Sequence, residues 1–347
     1  MKGVDLTDFY GMSRVIGEKG VLPQAALRLD PTLPILDTEM LIDVESLNID
    51  AASFRQLEKE SDGDIRAVQN RIESIIAERG KMHNSVTGSG GMLIGRVGQI
   101  GSGHPAQSIL KVGDRIATLV SLTLTPLHLE KVLAIHPEID RLDVRGHALL
   151  FASGLYARLP ADLPDELSLA ALDVCGAPAL VARYAKPGMT VAILGAGKSG
   201  ALSMAQARRT MKGSGRLIAL DISFQALEGL DAIGLCDQFC VVDATDPVEV
   251  LRRVTEATNG QLCNLVVNCA SVARTEMATI LSVRSGGVAL FFSMATQFSA
   301  ATLGAEGVGK DVTLLMGNGY LPGHADLTLD LLRTEPGLRK LFAERYV

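Results

Sequence analysis

The run Val191-Ala192-Ile193-Leu194-Gly195-Ala196-Gly197-Lys198-Ser199-Gly200 carries an apolar strand pattern directly into a G-x-G-x-x-G turn. Each glycine meets a separate demand. Gly195 lets the chain leave a strand sharply, Gly197 removes the side chain that would block a pyrophosphate, and Gly200 lets the next helix lie close to the sheet. A helix beginning at Lys198 and Ser199 presents unpaired N–H groups and the positive end of its dipole to phosphate. The next apolar run, Leu217-Ile218-Ala219-Leu220, ends on Asp221, about 20 residues past the last glycine, where a carboxylate accepts from adenosine ribose hydroxyls. The pattern therefore predicts a dinucleotide site built from Gly195, Ala196, Gly197, Lys198, Ser199, Gly200, Asp221, Ile222 and Ser223. The negative charge of Asp221 opposes a 2′-phosphate and favours NAD. NADP stays open, because Ser223 can accommodate a phosphate.

Strand and helix patterns alternate around this turn. Strands are expected at 191–194, 217–220, 238–242, 265–268, 288–292 and 312–316, with helices such as 247–258 and 276–282 between them. Six such strands complete a doubly wound parallel α/β (Rossmann) sheet. Ligands of such sheets lie at the carboxyl ends of the strands. Asp243 after the third strand is thus expected beside adenine, and Asn268, Cys269, Ala270, Ser271, Ser293 and Met294 beside the nicotinamide.

The residues before this domain read differently. Met40–Leu47, Met92–Val97 and Arg115–Val120 are strand candidates punctuated by Gly/Asp turns, and Ile65, Val68, Ile72, Ile75 and Ile76 fall at helical spacing until Gly80 stops them. The 347 residues suit two domains. We expect a β-rich substrate domain over 1–165 and a dinucleotide domain over 166–347, with 325–347 free to pack back on the first. A net charge of −6 without a basic cluster leaves no nucleic-acid footprint. No apolar run approaches a membrane span, and Met1–Asp5 open no secretory leader, so a cytoplasmic protein is expected. Cys175, Cys236, Cys240, Cys263 and Cys269 form an odd set inside apolar runs, which reads as reduced core thiols.

A β-rich first domain with a glycine-rich segment and Lys111-Val112-Gly113-Asp114-Arg115-Ile116, followed by a late dinucleotide fold, resembles the medium-chain dehydrogenase/reductase superfamily with its GroES-like catalytic domain. Within it, Leu41-Ile42-Asp43-Val44-Glu45-Ser46-Leu47-Asn48-Ile49-Asp50-Ala51-Ala52-Ser53-Phe54, the segment Asn84–Gly95, and Leu122-Thr123-Leu124-Thr125-Pro126-Leu127 are similar to the L-erythro-3,5-diaminohexanoate dehydrogenases of lysine fermentation. The resemblance implies NAD-dependent oxidative deamination of a diamino acid in a homodimer. The catalytic zinc positions of the superfamily's alcohol dehydrogenases have become Asp50 and Gly90-Gly91-Met92, leaving only Cys175 at a ligand position. One thiolate cannot hold zinc, which needs about three protein ligands in a catalytic site, so no metal is expected.

Amine oxidation without a metal asks for a neutral amine, stabilisation of a cationic imine and a base for water, and carboxylates suit all three. Asp50 is the first candidate, since it stands at a former ligand position and by the resemblance would face the nicotinamide; it equally suits a helix cap. Glu45 is the second, or a solvated strand residue. Lys81 could pair with the substrate carboxylate and His83 could move protons; an ordinary polar loop at 81–87 is the plain alternative. Ser89, Gly90 and Gly91 suggest crowding near a ligand, a hinge or a tight turn, and Arg14 offers another carboxylate anchor. Two other functions share the architecture: a zinc-independent quinone or enoyl reductase, and a dinucleotide-binding protein without catalysis.

Overall fold

The computed structural model describes residues 6–347; Met1–Asp5, read above as opening no leader, lie outside them. The chain divides into two compact units, Met1–Asp162 and Leu163–Val347.

The first unit runs through α1 (Leu6–Phe9), β1 (Glu39–Asn48), α2 (Ala51–Glu60), α3 (Ile65–Arg79), β2 (Met92–Ile100), β3 (Arg115–Thr118), β4 (Leu127–His136), β5 (Arg141–Phe151) and β6 (Tyr156–Arg158). Its antiparallel sheet has the order β4-β5-β1-β2-β3-β6. On β1, Met40, Ile42 and Val44 point into the core while Asp43 faces solvent. Register then shifts between Val44 and Ser46 against both neighbours: Glu45 is the extra residue against β2, and against β5 the extra residue lies on β5. A bulge of this kind exchanges the faces, so the buried set resumes on the odd positions Leu47 and Ile49 and the chain enters α2 at Asp50. Helix α3 matches its sequence pattern closely. Asp64 caps it by accepting from the N–H groups of Arg66 and Ala67, and Val68, Ile72, Ile75 and Ile76 are buried. Gly80 ends it at φ 62°, where a Cβ would lie 2.0 Å from the Leu29 carbonyl oxygen. Burying those four side chains stabilises the unit by about 1.5–3 kcal/mol each. Strands β4 and β5 went unread in the sequence: β4 is a sheet edge with only Leu127 fully buried, so its apolar alternation is weak.

The second unit opens with α4 (Asp165–Leu172) and α5 (Gly176–Tyr184). It then alternates through β7 (Thr190–Leu194), α6 (Lys198–Met211), β8 (Arg216–Asp221), α7 (Phe224–Ala232), β9 (Gln238–Val241), α8 (Pro247–Ala257), β10 (Cys263–Asn268), α9 (Glu276–Ser282), β11 (Val283–Phe291), α10 (Phe298–Gly307) and β12 (Val312–Met316). The parallel order β12-β11-β10-β7-β8-β9 places β7 between β8 and β10, which makes its carboxyl end the switch point of a doubly wound sheet. The closing helices α11 (His324–Thr334) and α12 (Pro336–Tyr346) pack on α4, α5 and α6. Residues 325–347 therefore belong with the second unit, because their apolar faces find partners there. Among the described residues no single helix is long and apolar enough to cross a membrane.

Candidate active site

At the head of α6 the backbone meets the demands read from the three glycines. Gly195 has φ 100°, and a Cβ on it would press within 2.8 Å of the Ala270 nitrogen; a Cβ on Gly200 would lie 1.8 Å from the Gly195 carbonyl oxygen. Gly197 alone has nothing within 4 Å of where a Cβ would stand. It starts α6 without a side-chain cap, so the first-turn N–H groups are left for an outside acceptor. A pyrophosphate fits this cradle.

Asp221 ends β8 beside it. One carboxylate oxygen accepts from the Ala196 N–H (2.6 Å), the other from the Ser223 N–H (2.8 Å). Both oxygens keep a lone pair, so a ribose hydroxyl can add to them. Ser223 is used locally, accepting from Ala226 to cap α7, and Ile222 is 70% exposed as an apolar shelf. Asp243 accepts from the Thr245 N–H and hydroxyl, both at 2.8 Å, which draws its carboxyl below the usual range. Lys198 stands 3.7 Å from Asp173.

The residues expected at the nicotinamide end divide. The amide of Asn268 is buried, donating to Thr275 (2.8 Å) and Thr279 (3.0 Å) while accepting from the Ala270 N–H. Its side chain shapes the loop rather than reaching a ligand. The Cys269 thiol, 4.0 Å from the Ser203 hydroxyl, is pushed up to about 12 by burial and is no nucleophile. Ser271 and Met294 are exposed, and Ser293 is half-buried with its hydroxyl accepting from Ala295. The carboxyl ends of β7, β8, β10 and β11 bring these residues to one edge of the sheet.

In the first unit the candidates separate. The Asp50 carboxylate caps α2, accepting from the Ser53 N–H (3.1 Å) and hydroxyl (3.3 Å). Ser53 continues to Thr87 at 2.5 Å, and Asn84 donates to Gln56 at 2.7 Å. The loop 84–89 is thus held against α2, with half-buried Asp50 at the head of a hydroxyl chain. Ser53 and Gln56 were missed as partners, although Asp50-Ala51-Ala52-Ser53 has the spacing of a capping turn. His83 has a buried Nδ1 without a partner, and burial, then Lys81 and Arg79, hold its basicity down.

Other candidates are already committed. Glu45 lies in ion pairs with Arg96 (2.8 Å) and Arg115 (2.6 Å), the solvated-strand alternative. Lys81 is wholly buried and donates to the carbonyls of Pro23 (2.8 Å) and Gln24 (3.3 Å), so it clamps a loop and cannot greet a substrate carboxylate. Burial, then Arg79, brings its ammonium down to about 8. Arg14 forks onto buried Glu39 and the carbonyls of Thr32 and Pro34. Gly90 and Gly91 are crowded by their own chain: a Cβ would lie 2.2 Å from the Met82 oxygen and 2.0 Å from the Asn48 oxygen. Among the described residues no group of three His, Cys, Asp or Glu side chains is placed to hold a metal ion.

Residues 13–160 match the family model described as L-erythro-3,5-diaminohexanoate dehydrogenase N-terminal domain. A Fusobacterium nucleatum protein named L-erythro-3,5-diaminohexanoate dehydrogenase is 50% identical over 339 residues, covering 97% of this chain and 98% of its own. The chain belongs to the L-erythro-3,5-diaminohexanoate dehydrogenase family. A second member, from Acetoanaerobium sticklandii, is 48% identical with the same coverage. The fold is shared with solved structures of much lower identity. A Thermotoga maritima alcohol dehydrogenase superposes with a TM-score of 0.56 at 17% identity, over 90% of this chain and 88% of that one. A mycobacterial protein complexed with NADPH does so with 0.54 at 18%, over 91% and 84%.

Proposed function

We propose that the chain oxidises the 3-amino group of L-erythro-3,5-diaminohexanoate with NAD and water, releasing 5-amino-3-oxohexanoate, NADH, ammonium and a proton. The observation that carries this reading is the identity with two members of that name over 97% of the chain. NAD held at the α6 cradle would supply the hydride acceptor. Asp221 favours it over NADP by accepting from a 2′-hydroxyl and repelling a 2′-phosphate.

Asp50 takes the proton of the substrate ammonium, which frees the nitrogen lone pair that assists loss of hydride from carbon. It releases that proton to solvent, and the regenerated carboxylate then stabilises the cationic imine. As a base it draws the proton from the water that adds to the imine carbon, gives that proton to the nitrogen of the adduct, and takes the hydroxyl proton as the adduct collapses to the ketone; the departing ammonia takes this last proton and leaves as ammonium. Ser53 and Thr87 extend a hydroxyl path for these protons. His83, with its unpartnered Nδ1, is the second proton-moving group. Neither role passes to Glu45 or Lys81, whose charges are already engaged.

A homodimer suits the second unit. Edge strand β12 pairs with β11 alone among the described strands, and Phe298, Leu303 and Met316 leave apolar surface beside it. A reducing, cytoplasmic setting suits five unpaired thiols.

The test is an assay of purified, metal-free protein with L-erythro-3,5-diaminohexanoate and either dinucleotide. One ammonium released per NADH formed is the expected result. Consumption of reduced dinucleotide with a quinone or enoyl substrate and none of the diamine reaction would replace this reading with a reductase.

A further inference from the structure

Helix α12 ends beside the dinucleotide cradle. Arg345 donates to the carbonyls of Gln225 (3.3 Å) and Ala226 (3.2 Å), so the last turn is tied to the start of α7, the helix that follows Asp221. Tyr346 is half-buried, packed edge-on at 5.0 Å to the fully buried Phe342. The Lys198 ammonium lies 5.6 Å from the centre of the Tyr346 ring, within the range of a cation–π contact. The same ammonium is 3.7 Å from Asp173. Burial raises the Tyr346 phenol, Arg345 opposes the rise, and the charge of Asp221 adds to it. Three elements far apart in sequence thus meet at one wall: the first residue of α6, the last residue of β8 and the last turn of α12.

We propose that Tyr346 is a specificity-determining residue: with Asp173 it holds the Lys198 ammonium off the ribose edge, so that Asp221 alone sets the charge where a 2′-phosphate would lie. This rests on the dinucleotide reading of the α6 turn. A lysine at the head of that helix is otherwise the natural partner for an extra phosphate, and a chain that selects against the phosphate must give the ammonium another place to go. The ring attracts the cation without neutralising it, and Asp173 completes the hold.

Binding of adenosine fragments isolates this wall from catalysis. Calorimetric titration of the intact protein with 5′-AMP and with 2′,5′-ADP should show preference for 5′-AMP. Tyr346→Ala should move the ratio of the two dissociation constants toward 2′,5′-ADP by about fivefold, the scale of one exposed charge contact. Tyr346→Phe, which keeps the ring, should stay at the original ratio. Asp173→Asn should move it in the same direction as Tyr346→Ala, which covers the case in which the alanine variant does not fold. Adding Lys198→Gln to either should cancel the shift. Equal weakening of both fragments, or a ratio unmoved in Tyr346→Ala and Asp173→Asn while wild type binds, overturns the inference alone. Failure of wild type to bind either fragment removes the dinucleotide reading with it.

Discussion

Two glycine-rich segments of this chain look alike in composition and behave in opposite ways. In the second unit Gly195 and Gly200 are crowded by backbone, but Gly197 opens onto empty space at an uncapped helix start. In the first unit Gly90 and Gly91 face only the chain itself, at the oxygens of Met82 and Asn48. The first arrangement leaves hydrogen-bond donors for something outside the protein; the second brings β2 against the start of α2 and leaves nothing over. A glycine marks a ligand site when the space it clears stays empty. The charged candidates divide the same way. Asp221 keeps lone pairs after its two backbone bonds, whereas Lys81 and Arg14 are spent on carbonyls and on Glu39.

Asp50 is the first unit's strongest counterexample to that division, and replacing it gives the largest expected effect. Asn caps a helix about as well as Asp, so Asp50→Asn should leave thermal stability and NAD affinity near wild type. Loss of a general base costs about 10²–10⁴-fold in rate, and kcat should fall in that range. A well-folded variant with near-normal turnover would reduce Asp50 to a cap and transfer the base to His83.

Asp221→Ser should act on the other unit with a smaller and different signature. Losing the carboxylate removes the repulsion toward a 2′-phosphate, and the ratio of kcat/KM for NAD over NADP should fall by about tenfold, roughly one charged hydrogen bond. The kcat with NAD should change less than in Asp50→Asn. A wild-type enzyme with the larger kcat/KM for NADP would reverse the role given to Asp221.

What could be read from the sequence follows the same line. The α6 turn was legible because its conformational demands are written in residue identity: only glycine takes φ 100° at 195 or tolerates the contact at 200. Helix α3 was legible from period, cap and stop together. Types without partners were misleading. Glu45, Lys81 and Arg14 have the chemistry of a site, but what each one touches, Arg96 and Arg115, Pro23, and Glu39, lies 25 to 70 residues away in sequence, and no local pattern records such pairings. Asn268 was placed correctly at a strand end, yet its amide turns inward to Thr275 and Thr279. Tyr346 went unread because nothing near it signals the cradle; α12 brings it there.

Lys81 offers a test of the clamp through pH. Its folded value, about 8, lies below the 10.5 of a free lysine. Between those values the unfolded chain carries the proton more often than the folded one. Stability should therefore rise with pH across that window, and the penalty of burying the charge is fully present below it. The slope cannot exceed about 1.4 kcal/mol per pH unit for one proton. Urea midpoints at about pH 8 and about pH 10 should show the rise in wild type, and Lys81→Met should flatten it. An unchanged slope in that variant would mean that another group titrates.

The smallest effect is expected from Glu45→Gln, and its smallness is the point. Glu45 sits at the bulge of β1, five residues before Asp50, and joins Arg96 on β2 to Arg115 on β3. All three side chains are at least a third exposed, so water and salt screen the pairs, and exposed ion pairs of this kind contribute about 0–1 kcal/mol each. Glutamine keeps the shape and can still accept one arginine hydrogen bond. The variant should lose no more than about 1 kcal/mol, less at high salt, with kcat and both KM values unchanged. A loss of turnover approaching that of Asp50→Asn, in a variant of normal stability, would place Glu45 in the chemistry and make the bulge a device for aiming a second carboxylate. Measuring both variants side by side separates a carboxylate that caps and reacts from one that only ties three strands together.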